Sequence, residues 1–149
     1  GLSSIETYLL DGRKIAEADL PSPHRILVDA PCSGLGVVRR LPELKWRRQE
    51  EQFQELKELQ LSLLRSAAVV LKKGGVLLYS VCTNEEEETR EVVGQFAAEH
   101  PGLRPIPVTP RIPPAYRSDK GNEHGTHIYP HLHHSDGFFL ALWQKEGEV

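Results

Sequence analysis

The sequence predicts an α/β fold built on a doubly wound, mainly parallel sheet, and three observations support this prediction. Continuous apolar runs at 26–28 and 76–78 are typical of parallel strands that are covered on both faces. A helical pattern of apolar residues separates the two runs. A strand–helix–strand unit of this kind pairs its strands in parallel through a right-handed connection.

The first third of the chain contains two predicted strands. Residues 5–10 are apolar and β-prone and precede an Asp11-Gly12 turn, so we predict a short strand there. Residues 16–23 form a loop marked by Pro21 and Pro23. The second strand covers Arg25 to Asp29.

The segment from Gln49 to Leu71 predicts a long amphipathic helix. Lys72 and Lys73 suit the negative end of the helix dipole, and Gly74-Gly75 ends the helix before a strand at 76–81. Apolar residues recur every three or four positions and predict the buried stripe: Phe53, Leu56, Leu59, Leu63, Ala67 and Val70.

A second helix is predicted directly after Cys82. Thr83 and Glu86 have the spacing of a capping box, and the acidic run 85–88 would place negative charge in the first turn with its side chains in solvent. The expected buried side consists of Val92, Val93, Phe96 and Ala97. The proline-rich segment 103–125 reads as a long connection, which is often functional in a compact domain, and 137–143 reads as the last strand.

Composition sets broad limits on function. The chain has 149 residues, 39% of them hydrophobic, and a net charge of −3, as expected for one globular domain without a strong overall basic footprint. We find no signal segment and no apolar run of bilayer length in the sequence, so we expect a cytoplasmic protein with free thiols and no membrane partner.

A local basic segment follows the first cysteine. Its cations are Arg39, Arg40, Lys45, Arg47 and Arg48. Such residues either contact phosphates or form a solvated surface, and the position next to Cys32 favours phosphate contact. We expect Trp46 to pack inside the protein.

Two cysteines stand out, because each follows a predicted parallel strand. Ligands of open α/β sheets bind in the crevice beyond the carboxyl ends of the strands, where Cys32 and Cys82 would meet. A helix start after Cys82 would favour its thiolate, and Asp29 could accept hydrogen bonds from a ligand amine. The alternative is that both cysteines are inert, small apolar residues of the core.

Five histidines crowd the late part of the chain: His124, His127, His131, His133 and His134. Zinc sites use histidines at such spacings, but usually with cysteine or carboxylate partners. The cysteines are assigned to another role and Pro130 interrupts the run, so we predict no metal site and either a polar loop beside the crevice or a solvated loop.

Together these motifs resemble the Sun/Fmu (RsmB/Nop) family of RNA cytosine-C5 methyltransferases. The resemblance rests on Asp-Ala-Pro-Cys-Ser-Gly at 29–34, on Arg-Arg-Leu-Pro-Glu-Leu-Lys-Trp at 39–46 and on the segment 74–83 that ends in Cys82-Thr83. Tyr-Pro-His at 129–131 and Asp-Gly-Phe-Phe at 136–139 are similar to the family's C-terminal signature. The turn Asp11-Gly12-Arg13 resembles an acidic turn that touches the methyl donor.

The resemblance implies a covalent mechanism. Cys82 would attack carbon 6 of a cytosine, carbon 5 would receive a methyl group from S-adenosylmethionine, and Cys32 would assist release of the product. Asp11 would bind the methyl donor and Asp29 both donor and base. Pro31, Arg39 and Arg40 would contact the RNA, for which small-subunit ribosomal RNA is the first expectation and transfer RNA the second.

The chain also departs from the family pattern. Val81 replaces a threonine before the nucleophile, Thr83 a serine after it, and Leu41 and Glu43 replace histidine and aspartate. The glycine-rich donor loop is absent, and Gly34-Leu35-Gly36 is its nearest equivalent. We therefore expect residues 1–149 to be the C-terminal part of a Rossmann-like methyltransferase catalytic domain, truncated at its N-terminal side, that binds the donor poorly and is inactive alone.

Two other functions remain open from the residues alone. A cysteine hydrolase would pair Cys82 with a late histidine. A binding module would retain the fold without the chemistry, although two intact cysteines argue against it.

Overall fold

The computed structural model describes residues 3–117 and 124–147. Five strands form one mixed sheet: β1 (Arg25–Asp29), β2 (Val76–Val81), β3 (Leu103–Pro105), β4 (Thr126–Ile128) and β5 (Phe138–Lys145). The helices are α1 (Leu44–Arg47), α2 (Glu50–Val70), α3 (Arg90–Glu99) and α4 (Pro130–His133). Short 3-10 helices cover Gly12–Glu17, Leu35–Val37, Glu86–Glu88, Thr109–Arg111 and Pro114–Tyr116. Within the described ranges, no helix has the length and apolar character needed to span a bilayer.

The strand order is β1–β2–β5–β3, with β4 also paired to β5. β1 and β2 run parallel, with Val28 opposite Tyr79, which confirms the predicted strand–helix–strand unit. β5 is antiparallel to β2 and to both short strands. The carboxyl ends of β1 and β2 therefore lie side by side.

The core lies between one face of the sheet and the helices α2 and α3. Tyr79 and Trp143 from the sheet are fully buried, as are Leu64 of α2 and Phe96 of α3. The rings of Phe96 and Trp143 meet edge to face at 4.9 Å, a favourable aromatic geometry. This packing holds the strands in place and so fixes the positions of their carboxyl ends.

Helix α2 agrees with the predicted bounds, but its buried face differs from the predicted stripe. Gln49 caps the helix in a capping box with Gln52. The fully buried positions include Gln60, Leu61 and Leu64, whereas Leu59 and Leu63 are only half-buried. The reason is that α2 contacts the sheet on one side and the 3-10 helix Gly12–Glu17 on another, so its apolar residues serve two surfaces.

The predicted strand at residues 5–10 is wrong. This segment is irregular and exposed along its length, and Leu9 is fully exposed. A strand requires a partner edge for its backbone groups, and local β propensity does not supply one.

The helix predicted directly after Cys82 begins later than expected. A 3-10 turn covers Glu86–Glu88, and α3 starts only at Arg90. Thr83 forms no capping box with Glu86; its Oγ1 instead accepts a 3.3 Å hydrogen bond from the Glu85 backbone N–H. The start of an α-helix therefore does not stabilise a Cys82 thiolate.

Candidate active site

The two cysteines converge at the carboxyl edge of the sheet. Because β1 and β2 are parallel neighbours, the backbone continues in register past Asp29, where the Ala30 N–H donates to the Ser80 carbonyl at 3.1 Å. The Cys32 and Cys82 sulfur atoms lie 3.2 Å apart, and both thiols are free and half-buried. The predicted convergence is thus present, and neither sulfur is sealed in the core.

The close pair of sulfur atoms divides its protons unequally. The hydrogen bond from the Cys32 thiol lowers the pKa of Cys82 to about 7, while burial and the charges of Asp29 and Glu88 act in the opposite direction. The same hydrogen bond, burial and the charge on Cys82 raise the pKa of Cys32. The arrangement thus offers a thiolate at Cys82 and a neutral thiol at Cys32 near neutral pH.

A close approach of two glycines positions the backbone at Cys82. The Gly36 N–H donates to the Cys82 carbonyl at 2.9 Å, and the Gly137 N–H donates to the Gly36 carbonyl at 2.8 Å. A Cβ at Gly36 would lie 2.2 Å from the Gly137 oxygen and 2.8 Å from the Cys82 oxygen. Only glycine fits there, so the loop after β1 and the start of β5 are both tied to the segment that bears Cys82.

The loop that bears Cys32 is tied to the Cys82 segment through side chains as well. The Ser33 hydroxyl donates to Thr83 Oγ1 at 3.0 Å, and both residues are fully buried. On the outer side, Arg48 Nε donates to the Ser33 carbonyl at 2.7 Å. One cation of the basic segment therefore supports the cysteine loop.

The residues predicted to bind the methyl donor share one open groove of about 570 Å³. Asp11 and Asp29 both line it, as does Pro31, which was predicted to contact the RNA, and its apolar lining includes Ile26 and Val28. Asp11 caps the 3-10 helix that starts at Gly12. Its carboxylate also pairs with Arg13 at 2.6 Å, which lowers the pKa of Asp11 to about 2. The groove thus presents one exposed strand-end carboxylate and one carboxylate paired within the chain.

The arginines predicted to contact RNA both pair with a half-buried acid from the late loop. Arg40 forms an ion pair with Asp136, and Arg39 approaches the same carboxylate at 3.8 Å. Their side chains remain more than half exposed, so each retains a solvent-facing surface. The expectation that Trp46 is packed is wrong: Trp46 is 85% exposed, and α1 is a single turn in which no residue is buried.

One late histidine contacts the segment that follows Cys82, and another contacts the backbone of its own loop. His127 Nδ1 lies 3.0 Å from Asn84 Oδ1, and its ring stacks on Tyr129. Burial lowers the pKa of His127 to about 4, which keeps the ring neutral at neutral pH. His133 contacts the backbone of Tyr129. Among residues 3–117 and 124–147, no three His, Cys, Asp or Glu side chains are grouped as metal ligands.

Sequence reasoning missed two buried polar residues next to the cysteines, Glu88 and Gln60. Glu88 lies in an acidic run whose four members look alike in sequence, and it was expected to point to solvent. Gln60 is a polar residue on the buried face of α2, which also carries Leu61 and Leu64. A glutamine at such a position is a detectable signal, since polar groups on a buried face need partners.

Comparisons with known proteins place this architecture among the Rossmann-like methyltransferases. A crystal structure of PH0851 superposes with a TM-score of 0.81 and 34% identity over 93% of this chain and 30% of that one. The structure of NSun6 from Pyrococcus horikoshii with SFG gives a TM-score of 0.75 and 30% identity, over 93% of this chain and 34% of that one. These similarities confirm the predicted fold class.

The sequence match extends nearly the full length of the chain. The family described as "16S rRNA methyltransferase RsmB/F" matches residues 1–144, and the chain belongs to this family. A probable ribosomal RNA small subunit methyltransferase B from Bacillus subtilis is 40% identical over 149 residues, which are 99% of this chain and 33% of the relative. A ribosomal RNA small subunit methyltransferase B from Thermus thermophilus is 49% identical over 96 residues, covering 62% and 24% of the two chains. The chain thus spans about a third or less of these relatives.

Proposed function

We propose that the chain is the nucleophile-bearing, C-terminal part of a catalytic domain that methylates carbon 5 of a cytosine in small-subunit ribosomal RNA, with S-adenosylmethionine as donor. The observation that supports this most directly is the 3.2 Å pair of free thiols at the carboxyl ends of two parallel strands. The names of the relatives, which are small-subunit ribosomal RNA methyltransferases, support the class of substrate. Cytosine as the base and the covalent route are what the resemblance of the two cysteine motifs to the Sun/Fmu family implies.

The first step uses the thiolate of Cys82. Its sulfur forms a bond to carbon 6 of the cytosine, and the electrons of the C5–C6 double bond move to make carbon 5 nucleophilic. The lowered pKa of Cys82 makes a substantial thiolate fraction available at neutral pH. Asp29, exposed at the end of β1, would accept a hydrogen bond from the cytosine amine.

The groove beside β1 fits the methyl donor. SFG, bound in the structure of a relative, is an analogue of S-adenosylmethionine. Asp11 and Asp29 would hold polar groups of the donor, while Ile26 and Val28 offer an apolar wall for its adenine. When bound, S-adenosylmethionine supplies the methyl group that carbon 5 accepts.

Cys32 would act in the release step. Once the Cys82 sulfur is bonded to carbon 6, it no longer carries the negative charge that raises the pKa of Cys32. Cys32 can then lose its proton to solvent and, as a thiolate, accept the proton from methylated carbon 5. The C–H electrons restore the C5–C6 double bond, and the Cys82 thiolate leaves.

The experiment is adduct trapping with the full-length protein and RNA that carries 5-fluorocytosine, whose fluorine cannot leave as a proton does. Wild-type protein is expected to form a covalent complex on denaturing gels, and Cys82→Ala is expected to form none. With ordinary RNA, Cys32→Ala should accumulate the complex because release is blocked. Small-subunit ribosomal RNA and transfer RNA are tested as separate substrates.

The outcomes discriminate among the remaining functions. Complex formation that survives Cys82→Ala would contradict the assigned nucleophile, and preferential reaction with transfer RNA would overturn the substrate. No complex with either RNA in the presence of donor would reject the proposed chemistry. A cysteine hydrolase is not favoured by the site, because His127 pairs with Asn84 and His133 with the backbone of Tyr129.

A further inference from the structure

One carboxylate of the acidic run is buried beneath the cysteine pair. Glu88 has no exposed surface, whereas Glu86 is exposed and pairs with Arg90 on the surface. A fully buried glutamate is rare without dedicated partners. The contacts of Glu88 therefore indicate what its position serves.

The partners of Glu88 lead to the backbone around Cys32. Its Oε1 accepts the Ser33 N–H at 2.8 Å and the Gln60 amide at 3.0 Å. The same Gln60 nitrogen donates to the Pro31 carbonyl at 2.9 Å. The residues immediately before and after Cys32 are thus held by one buried pair of side chains.

Tyr79 of β2 fixes the orientation of this pair from below. Its hydroxyl lies 2.9 Å from Gln60 Oε1 and 2.8 Å from the Glu88 carbonyl, and its ring is fully buried. With the oxygen of the Gln60 amide directed at a hydroxyl donor, its nitrogen is left to face Pro31 and Glu88. The network connects α2, β2 and the 3-10 turn before α3 to the loop of Cys32.

The second carboxylate oxygen of Glu88 lowers the stability of the folded state. Glu88 Oε2 is buried and has no hydrogen-bond partner among the described residues. An unsatisfied buried polar atom destabilises the folded state, but the other oxygen of the same carboxylate satisfies the buried Ser33 N–H, which an apolar residue would leave without an acceptor. The carboxylate therefore serves the backbone next to Cys32, and the position of Cys32 is the property of the site that it controls.

We infer that Glu88, together with Gln60, is a positioning residue for Cys32. The pair holds the backbone at Pro31 and Ser33 so that the Cys32 thiol stays next to Cys82 and meets carbon 5 of the adduct that Cys82 forms. This inference rests on the proposed function. It assigns Glu88 to the release step, because its contacts are to the loop of Cys32, while the Cys82 backbone is held separately through Gly36.

Matched substitutions test this role in the full-length protein. Glu88→Met fills a similar volume but cannot accept the Ser33 N–H, whereas Glu88→Gln keeps an acceptor oxygen. Glu87→Met is the control, because it makes the same change one residue earlier at a half-buried position. The readouts are the rate of adduct formation with 5-fluorocytosine RNA, and the steady-state fraction of covalent complex and the turnover with ordinary RNA.

The expected result is a selective defect in release. Measured at about pH 9, where Cys82 is mainly a thiolate with or without its Cys32 donor, Glu88→Met should form the adduct within about twofold of the wild-type rate, yet lower turnover at least tenfold and accumulate covalent complex. Glu88→Gln should restore release, and Glu87→Met should behave as wild type. The inference is overturned if Glu88→Met shows the same ratio of covalent complex to product as the wild type. It is also overturned if adduct formation and turnover fall by the same factor.

A second variant covers the case in which Glu88→Met does not fold. Gln60→Met removes the amide that links Glu88 to the Pro31 carbonyl, and it should also accumulate covalent complex; normal release in this variant rejects the inference. Failure of the proposed function is distinguishable from both outcomes. In that case the wild-type protein itself forms no adduct with 5-fluorocytosine RNA.

Discussion

The sulfur atoms of Cys32 and Cys82 are close enough that the protonation of one sets that of the other. At 3.2 Å, two thiolates would repel strongly. One sulfur therefore keeps its proton and donates a hydrogen bond to the other. Cys82 is the acceptor, and its pKa is lowered to about 7. The chemistry of Cys82 therefore depends on the presence of Cys32 even before substrate binds.

Alkylation of Cys82 by iodoacetamide should follow this ionisation. Since only the thiolate reacts, the rate should rise with pH up to a midpoint near 7 and then level off. In Cys32→Ala the stabilising donor is lost, and the midpoint should move up towards about 8.5, the ordinary thiol value. Peptide mass spectrometry at each pH follows the modification of Cys82.

The matched control is Cys32→Ser, which keeps a hydroxyl donor at the same position. Its midpoint should stay below that of Cys32→Ala. Equal midpoints in the wild-type and Cys32→Ala proteins would show that the neighbouring thiol does not stabilise the Cys82 thiolate.

Sequence alone was sufficient to place these two cysteines together but not to find what holds them. The convergence follows from the rule that adjacent parallel strands end at the same edge of the sheet, and both strands have clear apolar signatures. Glu88 was missed because burial of one glutamate in a run of four is decided by the tertiary contacts of Gln60 and Ser33. No local pattern distinguishes it from Glu86.

The same limit applies to the secondary structure. The sequence predicted four elements correctly because each has a strong local pattern that agrees with its tertiary contacts: β1, β2, α2 and β5. The false strand at 5–10 has β-prone residues but no partner, and the delayed start of α3 reflects the use of Thr83 Oγ1 by Ser33 and by the Glu85 N–H. In both cases long-range contacts decide an outcome that local propensity leaves open.

The contact between Gly36 and Gly137 joins three chain segments at the carboxyl edge of the sheet, and its disruption should damage the site. Gly36→Ala would drive a methyl group into the Gly137 and Cys82 carbonyls, so the strand end at Cys82 has to move. We expect a loss of about 1–3 kcal/mol in the free energy of unfolding and a matching decrease in Cys82 alkylation and adduct formation. Urea denaturation monitored by circular dichroism measures the first effect.

Gly94→Ala is the matched control, and we expect it to raise the free energy of unfolding where Gly36→Ala lowers it. Gly94 lies in the exposed part of α3, and a Cβ there meets nothing within 4 Å. Alanine is a better helix former than glycine, so this variant should gain up to about 1 kcal/mol. If Gly36→Ala were as stable as Gly94→Ala, the close glycine approach would not be required.

The described fold has an open edge next to the groove that we assign to the methyl donor. Leu27 in β1 is 62% exposed, and within residues 3–117 and 124–147 β1 is paired only on its β2 side. The groove of about 570 Å³ lies along this strand, and much of its lining is apolar. A site that is open on one side leaves donor groups in water and gains less from burial.

Donor affinity should therefore depend on more than these 149 residues. We expect the isolated chain to bind S-adenosylmethionine at least tenfold more weakly than a full-length member of the family and to show no methyl transfer, as measured by titration calorimetry and by incorporation of labelled methyl groups. In the full-length protein, Asp29→Asn should bind S-adenosylmethionine more weakly than the wild type does, because the strand-end carboxylate lines the donor groove. Equal affinity of the two chains would mean that the described groove is already the complete donor site, and normal methylation by the isolated chain would contradict its assignment as one part of a catalytic domain.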